Sequence, residues 1–267
     1  MQDRYVGDIG DFGKYGLLRA LCHPSDGDED RRLRLGVVWY LVPDEDYNAD
    51  GRHTGYLQPT NRNLARFRDC DAALYNALAR IVDNEARRVA SIRDGDVLPA
   101  DTLFCEEPLT FAGMLSLGPT ARQRRLNHRD AWVKGAWEKV APCDLVFVDP
   151  DNGLETGVQR QHKSGPKYAF FDELQSYIQR GQSLVIYQHL DHTCRAEEQV
   201  QKRLSQLNGR LKPNARPFAL RYRRGAARAF LVVPHESHAA ILRTRAEALT
   251  YAGNSWSHHF SLVLSEC

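Results

Sequence analysis

The sequence predicts an α/β protein: a doubly wound, mostly parallel sheet with helices on both faces and a C-terminal β-hairpin, in a single domain over 1–267. Three observations lead there. Short apolar runs within 35–42, 101–105, 145–148 and 183–190 lack the alternation of a half-solvated strand, so they read as strands covered on both sides. Amphipathic stretches of helical period lie between them. Two further runs, 218–222 and 228–233, are joined through Arg223-Arg224-Gly225, the pattern of a hairpin.

The chain is organised around Asp144-Leu-Val-Phe-Val-Asp-Pro-Asp-Asn-Gly-Leu-Glu155. Its apolar run stops at Asp149-Pro150-Asp151-Asn152-Gly153, where proline cannot extend a ladder and Asn-Gly favours a turn. Two carboxylates and a carboxamide are thereby expected at the carboxyl end of a central strand, the edge where open α/β sheets bind ligands. An Asx-rich turn that merely caps the next segment would have the same composition.

Upstream, Gly7, Gly10, Gly13 and Gly16 recur every third residue. Asp11 reads as an N-cap for a helix from about Phe12, with Leu17, Leu18 and Leu21 as its apolar stripe. Glycine inside a helix costs ~1 kcal/mol against alanine. These glycines therefore imply close approach to the backbone, either by a ligand or by a packed sheet. Lys14 in the first turn opposes the helix dipole unless an anion joins it there.

The polar loop 23–34 should be exposed. After the strand at 35–42, the loop from Asp44 to Gly55 carries four carboxylates and two glycines. Residues 61–93 read as two helices, and 101–105 as a strand. A helix at 120–140 carries Arg122, Arg124, Arg125, Arg129 and Lys134, a cationic face that either tracks phosphates or is simply solvated. Further helices are expected at 170–178, 193–207 and 235–251, with a closing strand at 260–264. Gln188-His189-Leu190-Asp191-His192 offers two histidines beside an aspartate, without a third ligand at matching spacing.

Composition sets outer limits. Hydrophobic residues make up 42% and charged residues 26% of the 267, and the net charge of +2 gives no global field for nucleic acid or membrane. No apolar run approaches the ~20 residues of a membrane span. The N-terminus has no secretory h-region. Cys22, Cys70, Cys105, Cys143, Cys194 and Cys267 are scattered without a C-x-x-C pair, so neither a disulfide framework nor a zinc knuckle is expected. The expected setting is cytoplasmic, with reduced thiols and no membrane partner.

Strands and helices in alternation, closing on a hairpin, resemble the Rossmann-like methyltransferase fold. Gly7-Asp-Ile-Gly-Asp-Phe-Gly-Lys-Tyr15 resembles the opening segment of bacterial 23S ribosomal RNA adenine-N6 methyltransferases of the RlmJ type. In that family an Asp, and a Lys three positions on, begin a helix at the S-adenosylmethionine site, which Asp11 and Lys14 match. Asp149-Pro150-Asp151-Asn152 is similar to the Asp/Asn-Pro-Pro-aromatic motif of amino-methyltransferases, with Asp151 and Asn152 in place of the second proline and the aromatic. The resemblance implies a cofactor site at Asp8, Gly10, Asp11 and Lys14, and catalytic positions at Asp149, Pro150, Asp151 and Asn152. If the substrate is nucleic acid, the cationic helix and the strand end at 188–192 are expected to hold it through Arg125, Arg129, Lys134 and His189.

Three functions compete. The first is an S-adenosylmethionine-dependent N-methyltransferase acting on a nucleic-acid base. The second is a Mg²⁺- or Mn²⁺-dependent nuclease or phosphohydrolase using Asp149, Asp151 and His189, with Glu155, Asp8 and Asp11 nearby. The third is a non-catalytic binding module on a degenerate methyltransferase fold.

Overall fold

The computed structural model describes residues 1–23, 32–45 and 51–266. Helix α1 (Ile9–Cys22) leads to β1 (Leu35–Trp39), then to the single turn α2 (Asn61–Asn63), α3 (Ala72–Asp83) and α4 (Ala90–Asp94). Strand β2 (Leu103–Cys105) and helix α5 (Pro119–Lys139) precede β3 (Leu145–Asp149). The short strands β4 (Gly153–Leu154) and β5 (Tyr168–Ala169) are followed by α6 (Phe171–Gln179), β6 (Ser183–His189) and α7 (Ala196–Leu211). The hairpin β7 (Phe218–Tyr222) and β8 (Arg228–Val233), helix α8 (Glu236–Thr250) and strand β9 (Phe260–Leu264) end the described chain.

Seven strands form one sheet in the order β2-β1-β3-β6-β8-β7-β9. The first four are parallel neighbours; β8 then enters antiparallel to β6, and β7 and β9 continue antiparallel to their neighbours. Five of the seven strands therefore run one way, as the apolar runs predict. Period-2 geometry splits β3 between two cores. Leu145 and Phe147 join α1, α3 and α8 on one face, while Val146 and Val148 join α5, α6 and α7 on the other. Each such side chain, fully buried, contributes about 1.5–3 kcal/mol.

Several boundaries differ from the sequence reading, for tertiary reasons. Asp8, rather than Asp11, caps α1: its Oδ1 accepts from Gly10 N at 2.8 Å and its Oδ2 from His53 N at 3.0 Å. The helix thus starts at Ile9, and Lys14 sits in its second turn. The run 61–93 breaks into a π turn at Leu64–Arg68 and the helices α3 and α4. The pair β4·β5 has no apolar run to announce it. Parts of the loops expected at 23–34 and 44–55 lie outside the described residues, as does Cys267.

The cationic helix is largely a structural element. Arg129 is fully buried; its Nε and Nη2 donate to Glu173 at 2.5 and 2.9 Å, its Nη1 to Gly165 O at 2.9 Å, and Nη2 also to Tyr168 O at 2.7 Å. Arg125 donates to the carbonyls of Gln161, Met114 and Ser116. Lys134 is exposed, 4.0 Å from Glu138. Arg125 and Arg129 thus tie α5 to the segments before it and before α6, with their guanidinium donors directed at protein acceptors.

Candidate functional site

The carboxyl ends of β1, β3 and β6 open on one edge, and the N-terminal segment folds over it. Together they enclose a cavity of about 220 Å³, lined by Asp8, Asp11, Lys14, Asp149, Pro150, Asp151, Asn152 and His189 among others. The two segments singled out in the sequence, one near the N-terminus and one past the middle of the chain, thus meet in one place. Gly10 lies beneath this wall, while Arg125, Arg129 and Lys134 are not part of it.

Lys14 is the junction. Its Nζ lies 2.8 Å from Asp149 Oδ2, 2.9 Å from Asp11 Oδ1 and 3.5 Å from Met1 Sδ. Its three donors are therefore accounted for within the protein. Trp39, Tyr15, Tyr187 and Phe147 surround it, with ring centroids 5.5–6.0 Å away, near enough for cation–π attraction. Burial works against the ammonium charge, but Asp11 and Asp149 outweigh it and raise the Lys14 pKa. Lys14 is a permanent cation that holds Asp149 in place.

Asp151 is bound differently. Its Oδ2 accepts from Gln2 Nε2 at 2.9 Å and lies 3.3 Å from Lys167 Nζ, while Oδ1 is 3.7 Å from the Met1 ammonium. Burial would raise its carboxyl pKa, but these cations hold it below the usual carboxylate range. Lys167 also pairs with Glu45 at 2.5 Å. The Met1 ammonium donates to Tyr40 O at 2.9 Å and Asp149 O at 3.3 Å, and burial lowers its pKa.

The turn after β3 is clamped from β6. Gln188 Oε1 accepts from Leu154 N at 3.0 Å, and Asn152 N donates to Lys167 O at 2.9 Å. Glu155 lies elsewhere: its carboxylate accepts from Phe171 N at 3.1 Å and meets Arg210 at 3.3 Å. Asp191 is exposed and binds the hydroxyl of Thr193.

Sequence reasoning missed Gln2, Glu45, Lys167, Tyr187 and Arg228. Tyr187 was within reach, two residues before the end of a buried strand. Arg228 became visible only through register: it pairs with His189 across β6 and β8, which brings the hairpin's start to the cavity. No protein-family model and no curated protein matches the chain. Among the described residues no helix is long and apolar enough to cross a membrane.

Proposed function

We propose that the chain is an S-adenosylmethionine-dependent N-methyltransferase acting on a base in nucleic acid, on a Rossmann-like methyltransferase fold. The observation that carries this reading is the 2.8 Å contact from Lys14 to Asp149. It joins the two segments that separately resemble methyltransferase motifs at a single cavity on the ligand-binding edge of the sheet.

The donor set suits the cofactor. Its methionyl end is zwitterionic, and the cavity wall presents the acidic side chains of Asp8, Asp11 and Asp149 together with the Arg228 guanidinium. The bound cofactor would supply an electrophilic methyl group. The protein's own part is positional, because aligning an amine with an electrophile needs little acid–base help. Asp149, its Oδ2 fixed by Lys14, keeps Oδ1 as an acceptor for one amine hydrogen, and the Pro150 carbonyl would take the other. The Lys14 ammonium fixes one face of the carboxylate, so Asp149 meets the amine as a positioned hydrogen-bond acceptor. Asn152, at the position of the family's aromatic, would face the base by hydrogen bonding instead of stacking, with His189 at the rim.

The phosphate path moves away from α5. Arg62, Arg66, Arg223 and Arg224 line a concave surface that is edged by Asn254, Ser255, Ser257 and His258. None of the four arginines has a carboxylate partner among the described residues. Arg223 and Arg224 lie in the hairpin turn whose Ala226 lines the cavity, so a bound strand would run toward its mouth. The metal-dependent reading fits less well, since Asp149 and Asp151 already spend their charge on Lys14 and Lys167.

The test is calorimetric titration with S-adenosylmethionine, followed by transfer of labelled methyl to RNA and DNA. Asp149→Ala should abolish transfer, Asp149→Asn should retain part of it, and Asp151→Asn should leave cofactor binding nearly intact. Absence of binding in the folded wild type, or Mn²⁺ binding that Asp151→Asn removes, would sink the reading.

A further inference from the structure

Arg228 opens β8 at the rim of the cavity and is only 9% exposed. Its Nε donates to Ala226 O at 3.0 Å, yet its two terminal nitrogens have no hydrogen-bond or ion-pair partner among the described residues. The contrast with Arg129 is direct, because that fully buried guanidinium directs all three of its nitrogens to Glu173 and carbonyls. A buried arginine that only braces the fold is expected to be satisfied in this way.

Position makes the unmet donors harder to explain structurally. The guanidinium lies against the first turn of α1, so close that a Cβ at Gly10 would fall 1.4 Å from Nη1. That turn is the positive end of the helix dipole, an unfavourable seat for a further cation. Burial also works against the charge, although Tyr187 and Asp8 outweigh it and keep the pKa of Arg228 raised. Of the other cations in the wall, Lys14 has its donors committed to Asp11, Asp149 and Met1, Lys167 is paired with Glu45 and Asp151, and the Met1 ammonium donates to the carbonyls of Tyr40 and Asp149.

We infer that Arg228 is the anion anchor of the cavity, gripping an oxyanion of the ligand through its two terminal nitrogens, with Gly10 kept bare so that the guanidinium can lie flat on α1. A guanidinium fork matches a carboxylate or a phosphate. If the methyltransferase reading above holds, on which this choice rests, the oxyanion is the methionyl carboxylate of the cofactor and Arg228 takes the place that the family resemblance gives to Lys14.

The experiment is calorimetric titration of wild type, Arg228→Lys and Gly10→Ala with three probes: S-adenosylhomocysteine, 5′-methylthioadenosine (the nucleoside without the aminocarboxylate) and inorganic pyrophosphate. Near-ultraviolet circular dichroism confirms that each variant is folded. Both variants should weaken S-adenosylhomocysteine at least tenfold and leave methylthioadenosine unchanged. Gly10→Ala reports on the anchor with Arg228 itself intact, so a folding failure of one variant leaves the other decisive. If S-adenosylhomocysteine fails to bind the wild type but pyrophosphate binds, and the variants weaken it tenfold, the anchor stands and the cofactor reading falls. Equal affinities in wild type and variants, or a wild type that binds neither anion, overturns the anchor.

Discussion

Replacing Lys14 with methionine tests whether the site is built around one buried cation. At 2.8 and 2.9 Å, each contact to a carboxylate amounts to ~6 kcal/mol of Coulomb attraction at an effective dielectric of about 20, before desolvation is charged against it. The net loss on breaking a buried pair is smaller, ~3–5 kcal/mol, because it measures the carboxylates left without a partner. Lys14→Met should therefore lower the unfolding free energy by about that much at pH 8. It should cost less at pH 5. Burial already pushes the Asp11 carboxyl above the usual carboxylate range, and without the ammonium it rises further. A carboxyl whose folded pKa lies above its unfolded value contributes stability at low pH and loses it as pH rises through the folded pKa. Urea unfolding followed by tryptophan fluorescence at both pH values measures this, and adding Asp149→Asn should restore part of the loss at pH 8, the rest belonging to Asp11. A loss under ~1 kcal/mol that is equal at both pH values would refute the buried junction.

Two further outcomes follow from the basic end of the same edge. His259 is fully buried, with Nε2 2.8 Å from Arg66 O, and burial holds its pKa down to about 4. Its folded pKa is below the unfolded value near 6.5, so its stabilisation is complete above that value and drains as pH falls toward 4; His259→Asn should flatten up to about 3 kcal/mol of this slope in urea titrations, and an unchanged slope would count against it. For the arginine surface, replacing Arg62 and Arg66 by serine should reduce the log–log salt slope of polynucleotide binding by about 0.7–0.9 for each phosphate left without its arginine. Replacing the exposed Arg122 and Arg124 of α5 should not, and fluorescence anisotropy across a salt series would expose the opposite result.

The strands were legible wherever burial on both faces left an uninterrupted apolar run. That signal found β1, β2, β3 and β6, and two further runs joined through Arg223-Arg224-Gly225 found β7 and β8. It weakens where pairing is short. Strand β2 is shorter than the 101–105 run that announced it, and β4 and β5 have two residues each, too few for any period to show. The sequence reading starts α1 three residues late, with Asp11 as the cap, for a different reason. Asp8 and Asp11 are both competent caps, and the choice is settled by the backbone of His53, which gives Asp8 a second donor. The arginines of α5 illustrate the limit of charge counting. Sequence shows a cationic face, but the carbonyls of Gly165 and Tyr168 and the Glu173 carboxylate that neutralise Arg129 arrive from residues 36 to 44 positions away.

The glycine repeat left two readings open, close packing or a nearby ligand, and the structure gives each a share. A Cβ at Gly13 would fall 2.4 Å from the Tyr222 ring and one at Gly16 2.2 Å from Trp256, so these two positions serve packing. They let α1 lie hard against the antiparallel half of the sheet. That seating brings the helix close enough for Lys14 to reach Asp149 across the mouth of β3. It also lays Gly10 directly beneath the Arg228 guanidinium, whose terminal donors find no partner among the described residues. Packing glycines and ligand glycine thus belong to one ladder. The first two fix the distance of the helix, and at that distance the third leaves room for the cation that faces the cavity.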